Sequence, residues 1–439
     1  MLLGTAFLQT PILAVISLCL ALVSGHILDG FQLPAGRWLF AFILWVSISL
    51  PFSFWKSASA SSFNVMIRQY LLFLLIVALV RSADQVRKAI VCVGFVPVPI
   101  LLAILTVGME DDGRLQLELG SFANSNELAG YLIMLAPLSL LVASMHRYNW
   151  AVRGIGLLLS VSCIALASRT GSRGAMISIL IVLLLLFWSY SFAGKVKLAV
   201  LTIPIAAGLI VVAPEEALVR YTTTFKDKVD MEGAAGFLQQ SALNSTATRI
   251  ELFKQSIRLT AENPLFGVGL GTFVAAAAAQ SQDEGKRALW QVTHNAYTQI
   301  SSETGIPSLI FYLGACWSIV AGLVNLKRRA RSALSPAADD VQLLASHLML
   351  SFVAFGIHGL FTSTAGSFNF FILAGLAVAL TRAGIVDSGS AAEPKPAGEA
   401  AVLSPASALV LKSESEPKVY LPVRRLPRAG HSAQYSPKR

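Results

Sequence analysis

One histidine stands in the polar run Thr293-His294-Asn295-Ala296-Tyr297-Thr298-Gln299, which leads through Gly305 into the apolar segment Ile306-Pro307-Ser308-Leu309-Ile310-Phe311. Thr293 reads as the cap of a helix running to Thr304, with His294 at its first position. The positive end of a helix dipole disfavours imidazolium, so the ring there stays neutral. A neutral imidazole near working pH is a general-base candidate. The plainer alternative is a solvent-facing or capping histidine.

Arg249 follows Thr248 in Thr248-Arg249-Ile250-Glu251, a capping-box pattern that predicts a helix start. A guanidinium beside free backbone N–H groups suits phosphate, although a surface arginine fits the same pattern. Arg169 and Arg173 flank the tight turn Thr170-Gly171-Ser172 between two apolar runs. An arginine at a membrane rim snorkels as an anchor or pairs with an anion such as a lipid-linked substrate. His358 lies inside Phe355-Gly356-Ile357-His358-Gly359-Leu360-Phe361, where an ionisable group is either functional or a satisfied structural histidine. Glu110-Asp111-Asp112 is an acidic cluster open to a hard cation or to plain solvation. No Cys/His metal spacing, nucleotide-binding loop or serine elbow occurs. The candidate chemistry is therefore an arginine–histidine site, with no metal assigned.

The elements that must position these residues are membrane helices. The chain has 439 residues, of which 55% are hydrophobic and only 13% charged, about half the charge of a soluble domain. Successive apolar runs are each long enough, at roughly 17–22 residues, to span a bilayer. They predict an all-α polytopic protein with helices at 3–23, 37–54, 64–80, 88–107, 127–145, 151–168, 174–192 and 196–213, then 306–326, 342–361 and 366–382. That is eleven helices, or twelve if one more precedes them. The organisation divides into N-terminal membrane helices (1–213), one large loop with short helices (214–305), C-terminal membrane helices (306–382) and a disordered tail (383–439) rich in Ala, Ser, Pro and charge. Within the loop, Ile250, Phe253, Ile257 and Leu259 predict the apolar face of an amphipathic helix ending at Asn263-Pro264. Alternate glycines in Gly267-Val268-Gly269-Leu270-Gly271 predict a turn in close backbone contact. Gly305 reads as a C-cap and Pro307 as the first turn of the next helix.

The net charge of +10 is mainly a topology signal, not a sign of nucleic-acid binding. Arg81, Arg87 and Lys88, then Arg147 and Arg153, then Lys195 and Lys197, then Lys327-Arg328-Arg329 fall on one side in this helix count. The positive-inside rule makes that side cytoplasmic, along with the tail. The large loop, with eight basic and ten acidic residues, is then external. The four cysteines, Cys19, Cys92, Cys163 and Cys316, lie in apolar runs and predict no disulfide framework.

The ordered set Ser121-Phe122-Ala123-Asn124-Ser125-Asn126-Glu127, Ser172-Arg173-Gly174, Thr248-Arg249, Pro264-Leu265-Phe266-Gly267-Val268-Gly269 and His294-Asn295 with Gly305 resembles the O-antigen ligase and polysaccharide polymerase superfamily over roughly 120–380. Ser308 stands where the family's histidine signature ends in glycine. The resemblance implies a GT-C-like glycosyltransferase of the bacterial inner membrane, acting in lipopolysaccharide biosynthesis with its large loop in the periplasm. It would move a glycan from undecaprenyl pyrophosphate to lipid A–core, with inversion and without metal, nucleotide or other cofactor. Arg173 and Arg249 match the arginines that hold the donor pyrophosphate, His294 matches the residue that deprotonates the acceptor, and Arg169 and His358 are possible supports. A polymerase joining lipid-linked repeat units, for O-antigen or exopolysaccharide, shares the fold and donor and differs in acceptor. A transporter predicts inverted repeats and mid-membrane charges, and neither is present in the sequence.

Overall fold

The computed structural model describes residues 19–390 apart from 112–113, 118–121, 123, 190, 197–198, 201–232 and 334–335. The described chain is mostly helical. Among the described residues seven helices are long and apolar enough to cross a membrane: Pro34–Phe52, Lys56–Leu79, Ala83–Val107, Ser125–Ser144, Trp150–Arg169, Ile306–Ser332 and Ala337–His358. Two shorter apolar helices, Arg173–Trp188 and Phe368–Gly384, accompany them. The predicted helices at 3–23 and 196–213 lie outside the described residues except at one end of each.

In chain order the helices are α1 (Pro34–Ser49), α2 (Lys56–Leu79), α3 (Ala83–Gly94), α4 (Pro97–Val107), α5 (Ser125–Ser144), α6 (Trp150–Arg169), α7 (Arg173–Ser189), α8 (Gly233–Glu262), α9 (Phe273–Asp283), α10 (Ala296–Thr304), α11 (Ile306–Ser332), α12 (Pro336–His358) and α13 (Phe368–Ser390). The predicted helix 88–107 is thus two, α3 and α4, because Pro97 cannot donate the hydrogen bond that would carry the first through. The segment 55–63, expected as a loop, is the first turns of α2, since its serines and alanines do not break a helix.

α5 is the hub. Leu128, Leu132, Leu135 and Leu138 are all fully buried along it. Its neighbours come close because the facing residues are small. A Cβ at Gly94 of α3 or Gly156 of α6 would press on the α5 backbone. Pro137 sits inside α5. Across this stretch Ser139 Oγ donates to Gly94 O (2.7 Å) and Ser160 Oγ donates to Ala136 O (2.9 Å), so hydroxyls satisfy carbonyls there.

Among the described residues the only strands form a hairpin, β1 (Gly108–Asp111) and β2 (Arg114–Leu117), antiparallel with Asp111 opposite Arg114. It occupies the stretch that the acidic cluster suggested was a plain loop. Alternation sends Leu115 and Leu117 into the core and leaves Arg114 and Gln116 on the other face.

α8 also differs from expectation. It runs unbroken from Gly233, so Thr248 is an interior residue and not a cap. The residues before Thr248 are rich in Ala, Leu and Gln and carry no proline, so helix propagates through them despite Gly236. Its buried side is Leu252, Ser256 and Leu259, covered by Phe273, Ala276 and Ala277 of the alanine-rich α9. Ile250, Phe253 and Ile257 of the predicted apolar face are exposed.

Candidate functional site

Arg114, Asn126, Glu127, Arg249 and His294 line one cavity of about 780 Å3, together with Gln116, Asn124, Ser125, Asn244, Ser245, Thr248, Gln291 and Val292. Four pieces of chain separated in sequence make its walls: β2, the start of α5, the middle of α8 and the loop before α10.

His294 is not the first helical residue. Asn295 is the N-cap of α10, its Oδ1 accepting from Tyr297 N and Thr298 N, both at 3.0 Å. His294 precedes the cap at φ +52°, a left-handed conformation that non-glycine residues rarely take. The turn after α12 holds it there. Ser363 Oγ accepts from His294 N (3.0 Å) and lies 3.0 Å from Thr293 Oγ1. Asn295 Nδ2 donates to Leu360 O (3.2 Å), and Ala296 N donates to Gly359 O (2.7 Å). The helix-dipole argument for a neutral ring therefore does not apply. Neutrality has other causes: burial first, then the charges of Arg249 and Arg114, which lower the pKa to about 4. At neutral pH the ring is an open proton acceptor.

Arg249 stands mid-helix, so the expected partnership with free N–H groups of a helix start is absent. Burial and the nearby charge of Arg173 lower its hold on its proton. Among the described residues it has no ion-pair partner. Arg173, at the start of α7, donates through Nη2 to Thr246 Oγ1 (2.7 Å), one turn before Arg249 on α8. Arg173 is beside the cavity and does not line it. Arg169 is exposed at the end of α6 and also lies off the cavity wall.

Arg114 escaped the sequence reading. Its Nε donates to Thr170 O (2.9 Å) and its Nη2 to Asn126 Oδ1 (3.0 Å), tying β2 to the turn before Arg173 and to the start of α5. Nothing local marks it; only the hairpin, with its alternation, turns it to the cavity. His358 is behind this wall, 2% exposed, with Nε2 2.8 Å from Asn126 O. A backbone carbonyl only accepts, so Nε2 carries the ring proton. His358 thus joins α12 to α5, and Gly130 leaves room for its ring, which a Cβ there would strike.

The far side of α10 is locked by the alternate glycines. Gly267, Gly269 and Gly271 all have positive φ, as the turn reading required. Val268 N and Gly269 N donate to Ser302 O and Glu303 O, each at 2.8 Å, and Gly271 N donates to Glu303 Oε2 (2.8 Å). A Cβ on Gly269 would overlap Ser53 Oγ, and Phe54 N donates to Val268 O (2.7 Å), so the lock reaches the residues between α1 and α2. Burial raises the Glu303 pKa to about 7, against the opposing pull of the Gly271 N–H. Gly305 has φ +87° and caps α10 at its C-terminus, and Pro307 lies in the first turn of α11, both as read from sequence.

Two cations and one neutral imidazole thus share the cavity with Glu127 and with amide and hydroxyl groups, and Arg173 lies beside it. Like charges held close together favour an anion between them. Residues 155–313 match the family model described as O-antigen ligase. That segment, about a third of the chain, is what is similar to the O-antigen ligase family. No curated protein matches the chain. The ligase-family segment contains Arg173, Arg249 and His294 but stops short of Arg114, Asn126 and Glu127 on one side and of the 359–363 cradle on the other. The cavity is therefore wider than the matched segment.

Proposed function

We propose that the protein transfers a glycan from undecaprenyl pyrophosphate to an acceptor hydroxyl on the periplasmic face of the bacterial inner membrane, in the manner of an O-antigen ligase. One observation carries this reading: His294, held in a left-handed conformation, shares a cavity with Arg114 and Arg249, and Arg173 lies close enough to Arg249 to act on its charge. The arginines take the charge of the diphosphate as it leaves, stabilising the transition state more than the ground state. Neutral His294 accepts a hydrogen bond from the acceptor hydroxyl and draws its proton as attack inverts the anomeric carbon. Arg173, Arg249 and Arg114 supply the leaving-group stabilisation in this scheme, without metal or nucleotide. The positive-inside rule, applied to the basic short loops, supports a cytoplasmic side for them and an external side for the cavity.

The test is transfer by the purified protein in vesicles, given an undecaprenyl-pyrophosphate-linked glycan and lipid A–core. His294→Ala should abolish transfer while the protein inserts normally, and full activity in that variant removes the base assignment. Arg173→Ala and Arg249→Ala should each weaken donor binding, and unchanged binding in both removes the clamp. Elongation of the lipid-linked glycan in place of core capping would assign a polymerase.

A further inference from the structure

We propose that Glu127 is a further catalytic residue of this cavity, the group that finally takes up the acceptor's proton. The inference rests on the transfer reading above. Glu127 is the third residue of α5 and, among the described residues, the only carboxylate on the cavity wall. An acid at this helix position ordinarily folds back to accept from the N-cap backbone N–H. That bond is not made here; the cap is the Asn124 side chain, which accepts from Asn126 N at 2.9 Å. The Glu127 carboxylate has no hydrogen bond or ion pair among the described residues. Neither usual structural role, capping or charge pairing, therefore occupies it.

Donor binding does not explain it either. A carboxylate repels a diphosphate, so its presence on the wall of an anion site weakens the donor's hold. Proton transfer does explain it. Imidazolium at His294 would be buried beside Arg249 and Arg114, an environment that expels the proton. His294 can draw the proton from the hydroxyl but cannot keep it, whereas a carboxylate in the same cavity can. In the completed step the acceptor oxygen bonds to the anomeric carbon. The bond from that carbon to the diphosphate oxygen breaks, and its electron pair leaves with the diphosphate. The hydroxyl proton passes through His294 to a Glu127 oxygen, and Glu127 releases it to water once the lipid diphosphate has gone.

The experiment compares wild type, Glu127→Gln and Glu127→Asp in phospholipid vesicles, with turnover measured on the lipid-linked glycan and binding measured with undecaprenyl pyrophosphate alone. Glu127→Gln keeps the shape and removes the base. It should lose about 100-fold or more in turnover, the scale of general acid–base catalysis, and should bind undecaprenyl pyrophosphate as well as wild type or several-fold more tightly. Glu127→Asp should recover part of the turnover. Wild-type turnover in Glu127→Gln overturns the assignment. Loss of turnover together with loss of undecaprenyl pyrophosphate binding also overturns it, because it marks a structural role. A wild-type protein that binds the lipid diphosphate but transfers nothing overturns the transfer reading itself, and this inference with it.

Discussion

His294 combines two costs, a left-handed backbone and a buried ring between like charges. For a non-glycine residue the backbone alone costs about 1–2 kcal/mol, and such strain persists only where its surroundings impose it. Here the surroundings are Ser363, Leu360 and Gly359. Asparagine tolerates this backbone better than most residues. His294→Asn should therefore fold with wild-type thermal stability and yet lose transfer, and retained transfer would mean that the imidazole is not needed. The lowered pKa has a definite sign. The ring is neutral above the ordinary histidine range and charges only as pH falls through about 4. The acid limb of the transfer rate should accordingly lie near 4 and not near 6.5. Arg114→Gln removes one of the two neighbouring charges and should move that limb upward; a limb that does not move would exclude Arg114 from the field at His294. The sequence singles out His294 and Arg173 because charged or titratable types at the rim of apolar runs are conspicuous, and Arg249 through its capping pattern; two of the three, His294 and Arg249, line the cavity. Arg114 and Glu127 were not legible there, because their significance depends on a short hairpin and on where α5 begins.

α10 is short and wedged between the glycine turn and the turn after α12. Its Glu303 holds its proton more tightly folded than unfolded, since burial raises its pKa to about 7. That contribution to stability is complete below the ordinary carboxyl range and is lost as pH rises through about 7. Melting temperature measured from pH 5 to 8 should fall across this window, and Glu303→Gln should flatten the fall. An unchanged slope would place the titrating group elsewhere. The turn of alternate glycines was legible because positive φ is a glycine property. The start of α8 was not: Thr248 and Glu251 satisfy a capping pattern, but both are equally compatible with a helix interior, and only packing against α9 decides. The same packing selects Leu252 and Leu259 over the exposed Phe253.

At the scale of the whole molecule, side-chain contacts tie several of the basic residues to other elements. Arg147 pairs with Asp340 (3.0 Å), Arg87 reaches Tyr148 Oη (3.5 Å), and Asp29 sits between Arg81 (3.1 Å) and Arg382 (3.3 Å). Arg382 is 7% exposed and also donates to Val77 O (2.8 Å). Asp29→Asn leaves that buried charge without its partner and should destabilise by about 3 kcal/mol, read as a lower melting temperature in detergent; a shift within error would show that the carbonyls suffice. The apolar segments were legible by length alone. Their number of breaks and their exact starts were not, because serine- and alanine-rich rims such as 55–63 carry neither a helix signal nor a stop signal.

Ser363 is more than 200 residues downstream of Asn126, yet both help to hold the same cavity. During synthesis the first wall waits in the membrane while the ribosome makes the rest. No form of this chain ending before Ser363 can hold His294 in its working conformation, however well it inserts. Two separately expressed pieces divided between α7 and α8 should regain transfer when both are present, because the walls are joined by side chains and backbone bonds that do not require covalent continuity at that point.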